Sequence, residues 1–250
     1  MNMRSDHNSA VSSHDHPNVD PMNVVLSRLG SALCLPLTAL KDDLGRLSGG
    51  GEGEVGERSR AQVAMMAGLC DELIGLSRSY LDYAEVVRDT SPLRLEPAVM
   101  GAILDQASRG FAAMARERGI VWSSAVAGQD AVVWTDARTV ARALGHLMRN
   151  AIDFTPKGGS VRVAAHLDGL TWRVNVTDTG PGVPEALRDR AFLPFVCLGR
   201  DEEKEEGSGS GLGLAACRLL IERLGGSVSL HDADGGGTVA TVVLPIDARR

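Results

Sequence analysis

Aromatic residues are scarce in this chain. Phe, Trp and Tyr make up 4% of its 250 residues, so aliphatic side chains and alanine must fill any core. Basic clusters are also missing, and the net charge is −6. That argues against nucleic acid as the main partner, because phosphate binding needs grouped Lys and Arg. No apolar run approaches the ~18 residues of a membrane span. Residues 1–21 are polar and lack the apolar core of a signal peptide. The expectation is a cytoplasmic protein with no membrane sensor of its own. The four cysteines, Cys34, Cys70, Cys197 and Cys217, show no CxxC spacing. They read as small apolar residues in a reducing compartment, not as disulfides or a zinc site. A flexible polar tail accounts for His7, His14 and His16 more simply than a metal tract does. There are no internal repeats.

What is present divides in two. After the tail, Leu26, Leu29, Leu33, Leu37, Leu40, Leu44 and Leu47 recur every three or four residues, on one helix face. The glycine-rich stretch 48–53 ends that helix. A second stripe follows at Val63, Met66, Cys70, Leu73, Ser77, Tyr80, Ala84 and Val87. Residues 22–91 are therefore expected to form an antiparallel helical hairpin. Pairing with a second copy would give a dimeric four-helix bundle. The alternative is that the two helices pack on their own C-terminal domain.

Ser91-Pro92 breaks the pattern, and the composition changes. Helices are expected at 97–119, 138–154, near 184–191 and at 212–224. Strands are expected at 120–127, 132–135, 160–166, 171–177, 227–231 and 238–244. Interleaved helices with hairpin-like strand pairs imply a mixed sheet, hence an α+β chain overall.

Three clusters in this second region carry chemistry. His146, Asn150 and Asp153 lie at i, i+4 and i+7 on one helix face. The plain reading is a solvated stripe, but an asparagine can supply a hard oxygen ligand to a divalent ion on phosphates. Asp178-Thr-Gly180-Pro-Gly182 follows a strand. A carboxylate there can accept from an amino group, and glycines let a flat ring approach the backbone. Gly207-Ser-Gly209-Ser-Gly211-Leu-Gly213-Leu214 opens a helix. Free backbone amides and a helix N-terminus favour phosphate. No Gly-Lys-Ser/Thr follows, so it is not a P-loop.

Each signal is modest alone, and their order and spacing carry the identification. Asn150, Asp178-x-Gly180-x-Gly182, Phe192-Leu-Pro-Phe195 and Gly209-x-Gly211-Leu-Gly213-Leu214 resemble the N, G1, F and G2 boxes of the GHKL ATPases, in the histidine kinase version. The later run Leu224-Gly-Gly-Ser-Val-Ser and Gly236-Gly-Thr238 is similar too. The resemblance implies a Bergerat-type α/β sandwich over 97–247. It implies ATP and Mg2+ as ligands, with Asn150 on the metal and Asp178 on the adenine amino group. Gly180 and Gly182 would shape the adenine pocket. Gly209, Gly211, Leu212 and Gly213 would border the triphosphate. Asp153 and Thr238 are added to the nucleotide-binding set, and residues 196–210 to a lid over ATP. Arg200 and Lys204 in that lid are candidate phosphate contacts. His146 stands where family members often carry asparagine. It reads as a tolerated polar substitution, with activation of water or a hydroxyl as the alternative.

The hairpin resembles the dimerisation and phospho-acceptor module of histidine kinases. Their H box reads His-Glu-Leu-Arg-Thr-Pro-Leu-Thr, and here the stretch is Ser31-Ala-Leu-Cys-Leu35-Pro-Leu-Thr38. Pro36, Leu37 and Thr38 fit, as does Leu81-Asp-Tyr-Ala84 in the second helix. The nucleophile, its neighbouring base and the water-holding residue are replaced by Ser31, Ala32 and Leu35. Ser31 points about 200° from Leu29 and Leu33 around the helix, and without a base it is a poor nucleophile. Three functions therefore follow as expectations. One is a histidine kinase family enzyme that phosphorylates a histidine, either on a partner chain or at another site. Another is a pseudokinase dimer regulating a partner histidine kinase or a response regulator. The last is a serine kinase on the same fold, which the long hairpin weakens.

Overall fold

The structure is a computed structural model that describes Leu40 and residues 55–128, 130–198 and 209–249. The expected first helix of the hairpin, with Ser31, Ala32 and Leu35, lies outside the described residues. So do Gly207, Arg200, Lys204 and most of the expected lid.

The second helix is present as α1, Val55–Arg88. Its last turns do not follow the expected stripe. Tyr83, Ala84 and Val86 are buried, whereas Val87 is 41% exposed. Tyr83 and Val86 pack on the domain that follows. Met65, Ile74 and Leu81 remain exposed along α1.

The segment 97–119 is not one helix. Strand β1 (Glu96–Val99) precedes α2 (Met100–Ser108) and α3 (Phe111–Glu117). Gly110 separates the two helices with φ +83, a conformation that ends the first before the second begins. Strand β2 (Val121–Val126), β3 (Val132–Thr135) and helix α4 (Ala137–Phe154) come next, then β4 (Ser160–Asp168) and β5 (Thr171–Asp178). The helix expected near 184–191 is two 3-10 turns, Glu185–Leu187 and Arg190–Phe192. A segment bounded by Pro184 and Pro194 is too short to repay helix nucleation. Helix α5 (Gly213–Arg223) and strands β6 (Ser227–Asp232) and β7 (Thr238–Pro245) complete the order.

Five strands form one sheet in the order β2-β4-β5-β7-β6. Only β2 and β4 run parallel. Strands β1 and β3 pair separately, with the chain end added through Trp134 and Asp247. Alternation explains the layering. In β5, Trp172, Val174, Val176 and Asp178 are buried, and Arg173, Asn175 and Thr177 lie on the other face. Helix α4 brings Val140, Leu144, Leu147, Met148 and Ile152 onto the buried side, and α5 brings Leu220 and Ile221. Asp136 caps α4 by accepting from the Thr139 amide at 3.0 Å. The result is a mixed sheet with helices on one face. Among the described residues, no helix is long and apolar enough to cross a membrane.

Helix α1 is tied to this domain by charge as well as packing. Arg142 pairs with Asp82 and reaches Glu85 at 2.8 Å. The His146 ring, together with Arg142, holds the Asp82 carboxyl at about 2, below its ordinary 3.8, against an opposing effect of partial burial. The folded value lies below the unfolded one. Its stabilisation is therefore complete above the ordinary value and is lost as pH falls through the folded value. The difference in thermal midpoint between wild type and Asp82→Asn is accordingly full at neutral pH. It shrinks as pH falls from 3.8 to about 2. A difference that persisted unchanged across that window would contradict the pairing.

Candidate nucleotide site

An open cavity of about 870 Å³, counting its mouth, lies between α4, the sheet and the start of α5. Asn150, Asp178, Gly182, Gly211, Gly213 and Thr238 line it, from sequence positions up to 88 apart. The sequence reading placed all six in one site. Four other candidates sit differently. Asp153 is exposed and pairs with Arg118 at 2.6 Å, outside the cavity. Leu212 is buried in the core beneath the glycine run. Gly180 lies behind Asp178, donating its amide to Oδ1 at 2.8 Å. Gly209 is not a cavity wall, and Cys197 Sγ donates to its carbonyl at 3.0 Å.

Asp178 is the polar centre. It ends β5 on the buried side of the sheet, since strand alternation puts it in line with Val174 and Val176. Oδ1 accepts the Gly180 amide at 2.8 Å and the Thr238 amide at 3.3 Å. Both bonds fall on Oδ1, so Oδ2 has no protein donor among the described residues. Burial pushes the Asp178 carboxyl above its ordinary value, and the two amides partly offset this. Around it the wall is apolar: Val176, Val183, Ala191, Leu230 and Ala240. A buried acceptor in an apolar slot selects a flat ring that carries a donor.

The opposite end is polar backbone. Gly211 has φ +65, and a Cβ there would come within 2.8 Å of Phe195 and Val196 backbone. The glycine lets the chain turn tightly into α5. The Phe195 amide donates to the Gly211 carbonyl at 3.0 Å, and Phe195 takes the unusual φ of 63. The Phe192-to-Phe195 stretch thus buttresses the glycine run. Phe192 is buried, and Arg218 of α5 stacks on its ring at 4.0 Å. Asn150 reaches the cavity from α4, and its side chain has no hydrogen-bond partner among the described residues. An amide oxygen beside helix-terminal N–H groups suits a magnesium-bound triphosphate.

His146 lies one turn before Asn150 but is not a cavity wall. Its Nε2 stands 3.2 Å from Asp82 Oδ2, out of line for a full hydrogen bond. The sequence reading paired Asp82 with neither Arg142 nor His146, because no local period links residues 60 or more apart. Val196, Cys197 and Leu198, at the start of the expected lid, also line the cavity, and so does Phe154, which nothing in its spacing sets apart. Cys217, in contrast, is a small buried apolar residue as expected, and burial pushes its thiol up.

Residues 135–248 match the family described as histidine kinase-, DNA gyrase B- and HSP90-like ATPases. A sensor-like histidine kinase of Rhizobium meliloti is 30% identical over 241 residues, 96% of this chain and 46% of that protein. Full-length ShkA, solved in complex with AMPPNP, is 27% identical with a TM-score of 0.60, over 88% of this chain and 45% of that one. The fold also matches the histidine kinase ThkA, solved with the response regulator TrrA. There the TM-score is 0.71 at 20% identity, over 92% of this chain and 63% of ThkA. The chain spans less than half the length of the Rhizobium relative.

Proposed function

Because this chain belongs to the sensor histidine kinase family and carries its GHKL-type ATP-binding domain, we propose that it binds Mg-ATP and acts in two-component signalling. The observation that carries this reading is the cavity that unites Asp178, Asn150 and the glycine run. In it, Asp178 takes the adenine amino group, with Gly182 and Thr238 beside the ring. Asn150 ligates magnesium, and the Gly211 and Gly213 amides receive the phosphates. Similarity to ShkA, solved with AMPPNP, supports the same ligand class. The bound nucleotide supplies the γ-phosphoryl group, and magnesium offsets the charge on its oxygens.

In this reading residues 22–91 form the dimerisation hairpin, residues 97–247 form the catalytic domain, and the setting is cytoplasmic. The exposed Met65, Ile74 and Leu81 support a partner along α1, most simply a second copy. A response regulator or a partner histidine kinase is the expected downstream contact, in line with ThkA bound to TrrA. A second reading is favoured by Ser31, Ala32 and Leu35 at the acceptor position. There the chain is a pseudokinase whose nucleotide occupancy regulates a true kinase. A serine kinase on the same fold, acting on another protein, is the remaining form.

Incubation with γ-labelled ATP separates these. Transfer of acid-labile label to a histidine, on this chain or on a partner, identifies the kinase. Acid-stable label on a partner protein identifies the serine kinase, and acid-stable label on this chain points to Ser31. ATP binding without label leaves the pseudokinase. A chain that bound no ATP would sink all three. The metal assignment has its own test in Asn150→Ala. The affinity gain that magnesium gives the wild type should vanish in this variant, measured by titration calorimetry with and without the metal. A variant with the full magnesium effect would remove Asn150 from the metal.

A further inference from the structure

The five-stranded sheet ends at β2 on one side and at β6 on the other. Edge strands present unpaired N–H and C=O groups, and proteins blunt them with charge, proline or a bulge. Edge β6 carries Asp232, held by Arg188 at 2.6 Å. Edge β2 has no such device. From 120 to 129 the sequence holds no charged residue and no proline. The strand runs Val-Trp-Ser-Ser-Ala-Val in unbroken register with β4, so it has no bulge. Val121 is 64% exposed, and Ser123, Ser124 and Ala125 are exposed beside it. The neighbour β4 fixes the phase of this strand. Val121 donates its amide to the Gly159 carbonyl at 2.9 Å, and Ala127 donates to Ala165 at 2.8 Å. Alternation gives Ser123 and Ala125 to β4 as well, and turns the backbone groups of Trp122, Ser124 and Val126 outward. Among the described residues, none of these three has a backbone partner beyond the sheet.

We infer that β2 is an interaction surface for a second copy of this chain, whose own β2 adds antiparallel across a two-fold axis at Ser124. The strand is self-complementary. A ladder forms only in registers that match outward residues with outward residues. With Ser124 opposite its own copy, Trp122 of each chain stands opposite Val126 of the other, and Ser123 stands opposite Ala125. An aromatic facing a β-branched residue is a favourable cross-strand pair. Both members already pack on the helix-covered face, Trp122 with its ring centroid 6.2 Å from that of Phe111. An axis at Ser123 would set Trp122 against Ser124 and lose both pairs. No charge in either strand meets a like charge. The two five-stranded sheets become one continuous sheet with its helices on one face. Two short strands bury less than the ~1,200 Å² of a stable interface, so the contact is weak and depends on concentration. Strand β2 contributes no residue to the nucleotide cavity, so the pairing is independent of the nucleotide reading.

Residue-resolved amide exchange and sedimentation of the full chain test the pairing. In dilute solution Trp122, Ser124 and Val126 should exchange freely, while Ser123 and Ala125 stay protected by β4. Raising the concentration about fiftyfold should slow the first three about fivefold and leave the other two unchanged, as mass action requires. The weight-average mass should rise over the same range. Ser124→Lys puts a charge at the axis and should remove both changes, with the dilute thermal midpoint and AMPPNP affinity unmoved. Ser124→Cys should close a disulfide between copies on mild oxidation. The opposed Cα atoms lie about 5.5 Å apart in such a pair, within the ~4.4–6.8 Å that a disulfide spans. Wild type under the same oxidation gives the background from the native cysteines. Exchange at Trp122, Ser124 and Val126 that ignores concentration would overturn the pairing. If slow throughout, another segment of this chain covers the edge; if fast throughout, the edge stays open. Slowing only on addition of a different protein would overturn the second copy as occupant. Faster cross-linking by Ser123→Cys than by Ser124→Cys would overturn the register.

Discussion

Asp178→Asn lowers the affinity for ATP by roughly ten- to a hundredfold while the domain stays folded. The estimate follows from the hydrogen bond at stake. A bond to a charged acceptor contributes about 1.5–3 kcal/mol, and about 1.4 kcal/mol corresponds to a factor of ten. The fold survives because the Asn carbonyl can still accept from the Gly180 and Thr238 amides, which both use Oδ1. The position facing the ligand becomes the problem, since the amide there presents N–H groups to an adenine amino group that is itself a donor. Burial already pushes the Asp178 carboxyl up, so removing its charge relieves a desolvation cost and should not lower the thermal midpoint. Calorimetric titration with ATP, beside a thermal melt of the same sample, reads both. An affinity within twofold of wild type would remove Asp178 from the adenine role.

The second large effect is on stability. Gly237→Ala should cost about 3 kcal/mol or more in urea unfolding. Gly237 has φ +100, which L side chains rarely adopt, and an added Cβ would land on the Asp178 carbonyl and within 2.9 Å of the Thr179 Cα. A left-handed non-glycine residue costs about 1–3 kcal/mol, and overpacking adds roughly 1–3 kcal/mol. The backbone it would displace is that of Asp178 and of Thr238 next door. Nucleotide binding should therefore fall in whatever fraction remains folded. Gly235→Ala is the control: its φ is +90, but no atom lies within 4 Å of the new Cβ. Gly235→Ala should thus carry only the conformational part of the cost. Equal destabilisation by the two would mean that the contact with Asp178 contributes nothing.

Gly237 also illustrates which features the sequence conveys. Its triplet with Gly235 and Gly236 reads as a turn before a strand. Nothing local distinguishes the glycine that meets Asp178 backbone from the one in open space, because the contact bridges β5 and the start of β7. The same division runs through the fold. Periods and breakers are local signals, so α4, β4, β5, α5, β6 and β7 lie within a residue or two of where the chain predicts them. Segment 97–119 misled because apolar spacing continues through Gly110 while the backbone turns there. Strand β1 was hidden for a related reason: four residues are too few to display alternation, and the strand exists only because β3 pairs with it.

The sequence by itself determined the order of the elements and the family to which they point, through Asn150, Asp178 and the glycines at their spacing. Those features depend on residue type and backbone conformation within a few positions. Tertiary structure decided which candidates meet. It brought Asn150, Asp178, Gly211 and Thr238 to one cavity, turned Asp153 out to Arg118, and set His146 against Asp82. Such encounters are not written in any local period. They follow from which faces of distant elements bury their apolar residues together, and that packing set the last turns of α1 against α5, with Asp82 beside Arg142 and His146 of α4.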